Sequence, residues 1–102
     1  MQLIHPDPED FALTDVLSAL GNPIRLEVVR RLNQGEHLNC TTALPHMPQS
    51  TASHHWRVLR ESGLLQQTRE GRVITMTLRK ADIDKRFPGL LDAVVAPKGQ
   101  AL

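Results

Sequence analysis

A mainly α-helical domain with a small β-hairpin is the fold that the sequence predicts. Apolar residues recur at three- and four-residue spacing along most of the chain, and alternation takes over only near residues 64–78. Glycine and proline cut the helical pattern into short segments, which suits a small bundle rather than a long coiled coil. With 102 residues, the chain is expected to form one domain over residues 1–102.

The first segment spans residues 8–20. Asp7-Pro8-Glu9-Asp10 offers a cap, a proline at the first helical position and acids in the first turn. Leu13, Val16, Leu17 and Leu20 follow on one face, and Gly21 ends it. Asn22-Pro23 repeats the cap-and-proline start for a second helix carrying Ile24, Val28, Val29 and Leu32, which ends near Gly35. Pro45 and Pro48 limit any helix between Asn39 and Met47 to a turn or two. The spacing then predicts an uninterrupted helix over Gln49–Ser62, with Ala52, Trp56 and Leu59 facing inward and Gly63 as its stop.

Residues 64–68 form a strand candidate, Arg69-Glu70-Gly71-Arg72 a turn, and Val73–Leu78 a second strand rich in β-branched residues. Residues 81–86 return to a helical pattern, and Phe87-Pro88 interrupts it. Leu90, Leu91, Val94 and Val95 make a last apolar stripe in the 81–95 region, and the tail from Pro97 is expected to fray.

Composition narrows the function. Two Phe, one Trp and no Tyr leave too few rings for a platform that stacks single-stranded bases. No apolar run approaches the ~20 residues of a membrane span, and residues 1–10 have no signal-peptide pattern. The single cysteine, Cys40, has no internal disulfide partner and fits a reducing, cytoplasmic location. The net charge of +1 is unevenly spread: residues 50–80 hold six basic residues against Glu61 and Glu70, while residues 1–49 hold three basic against six acidic. A cationic stretch on an otherwise neutral body is the footprint of a nucleic-acid surface, with a merely solvated face as the alternative.

A short helix and a longer one joined by a tight turn (about residues 39–62), followed at once by a basic two-stranded ribbon (about 64–78), make a winged helix-turn-helix layout of about five helices plus the wing. Leu20-Gly21-Asn22-Pro23-Ile24-Arg25-Leu26 resembles the start of the second helix in the ArsR/SmtB family of bacterial repressors. The run from Ser53-His54-His55-Trp56-Arg57 to Gly63-Leu64-Leu65, followed by Arg69-Glu70-Gly71-Arg72, resembles that family's recognition helix and wing. The resemblance, over roughly residues 13–95, implies a dimeric transcriptional repressor that binds double-stranded DNA at an inverted-repeat operator.

Gln49, Ser50, Thr51, Ser53, His54 and Arg57 lie opposite the apolar side of their helix and are the candidate major-groove contacts. Small hydroxyl residues let the backbone approach phosphates, while Gln and Arg can form paired bonds to base edges. Arg69 and Arg72 flank the turn as candidate contacts to phosphates or the minor groove. Trp56 belongs to the core by its spacing. Leu13, Val16 and Leu17, with Leu90, Leu91, Val94 and Val95, are the candidate dimer interface, because family members pair through the first and last helices.

Metal sensing, common among such relatives, has little support. There is one cysteine and no Cys-x-Cys, and the last helix offers Asp82, Asp84 and Asp92 but no His. No metal site and no cofactor are therefore expected, and the inducer, if one exists, is left open. Cys40 beside His37 is an alternative thiol sensor, against the commoner role of a buried small hydrophobe. A winged helix that binds protein rather than DNA is the other alternative. No phosphate loop, nucleophile elbow or HExxH is present, so no enzyme is expected.

Overall fold

The computed structural model describes residues 3–95. The described residues form five α-helices and a small antiparallel sheet, in the order α1 (Leu13–Leu20), α2 (Pro23–Asn33), β1 (Leu38–Asn39), α3 (Gln49–Ser62), β2 (Leu65–Glu70), β3 (Val73–Leu78), α4 (Lys80–Arg86) and α5 (Leu90–Val94), with α2 and α3 packed against the sheet. The mainly α fold with a hairpin wing is thus as the sequence predicts. The sheet order is β1-β3-β2, so the wing carries a third, short strand that the sequence pattern did not predict. Leu38 pairs with Met76 and Asn39 with Thr75. Two residues are too few to show alternation; the partner strand, not the local pattern, holds β1 in place.

Three segments differ from expectation. The segment 8–20 is not one helix. Pro8–Asp10 makes a single 3-10 turn, and Phe11 and Ala12 are extended before α1 begins. Phe11 turns into the core instead, at 4% exposure, with the Arg79 guanidinium 4.9 Å from its ring centroid. Arg86 donates to the carbonyls of Pro8 and Phe11, serving acceptors that a helix would have used.

Residues 40–47 form turns rather than the short helix expected between Asn39 and Met47. Asn39 Oδ1 accepts from the Thr41 and Thr42 amides, both at 2.9 Å, and the Ala43 amide donates to the Asn39 carbonyl. One turn is nucleated there, and Pro45 and Pro48 prevent its continuation. The first strand of the hairpin runs on to Glu70, so Arg69 sits in a strand and the turn is the two residues Gly71-Arg72. Gly71, at φ +66°, supplies the positive φ that such a tight hairpin turn requires. The expected fraying from Pro97 lies outside the described residues.

The core joins every helix to the sheet. Val16, Val28, Val29, Leu59, Leu64, Leu65, Ile83 and Leu91 are almost wholly enclosed, and Trp56 is buried with them, as its spacing requires. Val16, Leu91 and Val95, expected at a dimer interface, are therefore core residues of their own chain. Gly89, at φ +84°, turns α5 back so that Leu91 and Val95 join the same cluster as Ile83. Leu13 and Leu17 remain 45% exposed on α1, and Leu90 and Val94 are half-buried.

Gly63 holds the junction between α3 and the hairpin. It ends α3 at φ +96°, and a Cβ there would lie 2.4 Å from Phe11 Cε1. Only glycine satisfies both the left-handed backbone and the close ring.

Candidate nucleic-acid interface

The placement of α3 begins with the Asn22-Pro23-Ile24-Arg25 sequence. Asn22 Oδ1 accepts from the amides of Ile24 and Arg25 at 2.9 and 3.2 Å, capping α2 behind its first-turn proline. Arg25 is thereby aimed back at the end of α1, where Nε donates to the Ala19 carbonyl at 2.8 Å and Nη2 to the Ser18 carbonyl at 3.3 Å. Its Nη1 donates to His55 Nδ1 on α3 at 3.2 Å. One guanidinium therefore ties α1, α2 and α3 together. Burial, and then the charges of Arg25 and His54, hold His55 below its ordinary value of 6.5, so the ring stays neutral and accepts.

With His55, Trp56, Ala52 and Leu59 turned inward, α3 presents Ser50, Ser53, His54 and Arg57 to solvent. Gln49 and Thr51 are also exposed; Gln49 Nε2 donates to the Thr41 carbonyl at 3.3 Å, which leans it toward the preceding turns. Across from this face stands the hairpin. Leu65, Gln67 and Arg69 share one side of β2 by strand alternation, so Arg69 faces α3 rather than flanking the turn, while Arg72 is at the exposed tip. Ser50, Ser53, His54, Arg57 and Arg69 line one cleft between α3 and the sheet, and this cleft has a volume of about 480 Å³. Thr51 and Arg72 lie outside the cleft walls.

Two residues that the sequence pattern did not single out stand deeper in this cleft. Arg60 Nη1 donates to Gln67 Oε1 at 2.6 Å, and Gln67 Nε2 donates to Cys40 Sγ at 3.1 Å. The signal was present: Arg60 follows Ser53, Trp56 and Arg57 at three- and four-residue steps, and Gln67 alternates with Arg69. Cys40 is half-buried, and burial pushes its thiol up, disfavouring the thiolate that a thiol sensor uses. The chain before α1 closes the hairpin's outer edge: the Gln67 amide donates to His5 Nε2 at 3.0 Å, and Arg79 Nη1 to the Pro6 carbonyl at 2.8 Å.

The acids weighed as metal ligands have cationic partners. Asp82 pairs with Arg79 at 3.2 Å, and Asp84 and Asp92 with Lys80 at 3.0 and 3.5 Å. Among the described residues no three His, Cys, Asp or Glu side chains gather as a metal site. No helix among them is long and apolar enough to cross a membrane.

Comparison with known proteins agrees with this geometry. A helix-turn-helix domain family matches residues 20–68, from the end of α1 through α3 into β2. The uncharacterized HTH-type transcriptional regulator YceK of Bacillus subtilis is 28% identical over 89 residues, 84% of this chain and 89% of its own. Among solved structures, NolR from Sinorhizobium fredii superposes with a TM-score of 0.63 at 25% identity, covering 95% of this chain and all of that one. HlyU from Vibrio cholerae gives 0.61 at 26% identity over 78% of this chain and 87% of its own. An ArsR family transcriptional regulator shares the fold at a TM-score of 0.64 and 24% identity, over 72% of this chain and 81% of that one. The chain is a winged helix-turn-helix protein, with the fold of these solved structures. Helix α3 lies within the residues that the helix-turn-helix family matches.

Proposed function

We propose that this protein is a homodimeric, cytoplasmic repressor of the ArsR type that binds an inverted-repeat operator in double-stranded DNA. The observation that carries the reading is the joint exposure of Ser50, Ser53, His54 and Arg57 on α3 with Arg69 and Arg72 on the hairpin. A helix fits the major groove, where Arg57 offers paired donors to a guanine edge and His54 or Gln49 reaches neighbouring bases. The hydroxyls of Ser50, Thr51 and Ser53 suit phosphate oxygens beside the groove. Arg72, at the hairpin tip, adds a sequence-independent contact to the backbone or the minor groove.

Two-fold pairing completes the reading. Leu13 and Leu17, one turn apart on α1, are large, exposed and apolar, and Leu90 and Val94 repeat the spacing on α5. Joining these stripes across a two-fold axis sets two copies of α3 about one DNA turn apart, which matches a pseudo-palindromic site. Selection of bound duplexes from a random pool tests this. Enrichment of an inverted repeat with half-sites about 10 base pairs apart supports it; retention of no duplex, or of sequences without a repeat, overturns it.

A further inference from the structure

We propose that the cleft between α3 and the hairpin binds a small organic anion, an apolar or aromatic body bearing one carboxylate, sulfonate or phosphate, whose occupancy excludes DNA. The exclusion rests on the DNA-binding reading above; the binding itself does not.

The cleft's volume of about 480 Å³ falls within the roughly 300–1,000 Å³ of small-molecule sites. Its walls combine two chemistries. Leu3, Trp56 and Ile74 are apolar, and Arg57, Arg60 and Arg69 contribute three guanidinium groups. No carboxylate is among its lining residues.

The deeper wall is the stronger sign. Trp56 is 3% exposed, and its indole N–H has no hydrogen-bond partner among the described residues; the buried Nε of Arg60 has none either. Buried donors are rarely left without acceptors, and a guanidinium drawn out of water toward an amide alone lacks the counter-charge that offsets its desolvation. Both residues line the cleft, and an oxyanion bound there would supply the counter-charge that Arg60 lacks and, after a small side-chain shift, an acceptor for these donors. The apolar walls point to an organic ligand rather than bare phosphate, since an inorganic ion covers none of that surface. Arg57 and Arg69 line this cleft and also belong to the proposed DNA face, so a ligand that engages them withdraws them from DNA.

Anilinonaphthalene sulfonate is a suitable probe, with neutral N-phenyl-naphthylamine and inorganic phosphate as comparisons. Trp56 is the sole tryptophan, so energy transfer from it to the dye reports occupancy near the cleft. The full chain is expected to bind one sulfonate dye, with the neutral dye at least about tenfold weaker. Arg60→Gln should weaken the dye roughly tenfold with an unchanged circular dichroism spectrum. Ser53→Glu, at an exposed position that leaves the core untouched, should do the same by placing a carboxylate at the cleft wall. Equal binding of both dyes, or undiminished binding in both variants, overturns the site. Phosphate displacing the dye at the dye's own concentration overturns the organic ligand. In competition, the dye should release duplex DNA from the wild type but not from Arg60→Gln; dye and duplex bound together would overturn the exclusion. If no duplex is bound at all while dye binding keeps its Arg60 dependence, the DNA reading falls and the anion site stands.

Discussion

Arg25→Met removes the clamp that orients α3 while keeping the apolar stem of the side chain. Arg25 makes three bonds: to the Ala19 carbonyl at 2.8 Å, to the exposed Ser18 carbonyl at 3.3 Å, and to His55 Nδ1 at 3.2 Å. Water replaces the Ser18 bond, so that loss is small. The Ala19 bond is worth about 1 kcal/mol, and leaving the His55 acceptor buried without a donor costs about 1–3 kcal/mol. Removing a cation from the end of α1 adds about 0.3–1 kcal/mol. The sum is a destabilisation of about 2–5 kcal/mol, or a fall in Tm of roughly 10–25 °C at about 5 °C per kcal/mol for a domain of this size. Calorimetry or thermal circular dichroism reads it directly. Arg25→Lys should fall between, since an ammonium reaches one of the two sites but not both. A fall of less than about 3 °C for Arg25→Met would refute the clamp.

Gly63→Ala should cost about 2–4 kcal/mol by urea denaturation, combining the left-handed backbone at φ +96° with a Cβ 2.4 Å from the Phe11 ring; an unchanged midpoint would contradict that junction. His5 and His55 both accept hydrogen bonds as neutral rings, and burial is the first cause holding each below its ordinary 6.5. Just below that value the unfolded chain binds more protons than the folded one, so stability is fully present above about 6.5 and is lost as pH falls through the folded values. Urea midpoints should drop across that window in the wild type and drop less in His5→Gln/His55→Gln. Leu13→Glu/Leu17→Glu changes two exposed positions, so sedimentation should find folded monomers that no longer bind the inverted repeat; a wild type that is itself monomeric at tens of micromolar contradicts the pairing.

The sequence was legible where one segment settles its own structure. Gln49–Ser62 has its bounds as predicted, because proline precedes it, Gly63 ends it and its apolar side repeats without interruption. Trp56 was readable as core for the same reason. What escaped depends on residues distant along the chain. The strand β1 exists through β3, and the break at Phe11 exists because its ring seats against Gly63 beneath Arg79. The shift of Arg69 from the turn to the cleft follows from two further strand residues, a boundary that composition alone does not mark. Among the leucines and valines expected at a dimer interface, helical spacing showed which were apolar but not which side the chain's own core would take. Enclosure of Val16, Leu91 and Val95 needed the position of α5 in space.

The salt dependence of duplex binding tests the central claim most directly. Fluorescence anisotropy on the selected inverted repeat should give an affinity falling steeply with salt, each neutralised phosphate adding about −0.9 to the logarithmic slope. Arg72→Ala should make that slope shallower by about one for the phosphate it no longer neutralises, and weaken specific and random duplexes alike. Arg57→Ala should cost about 1–3 kcal/mol on the specific site and little on random DNA. Affinity that ignores salt, or that is the same in both variants as in the wild type, would contradict a DNA-binding face built from α3 and the hairpin.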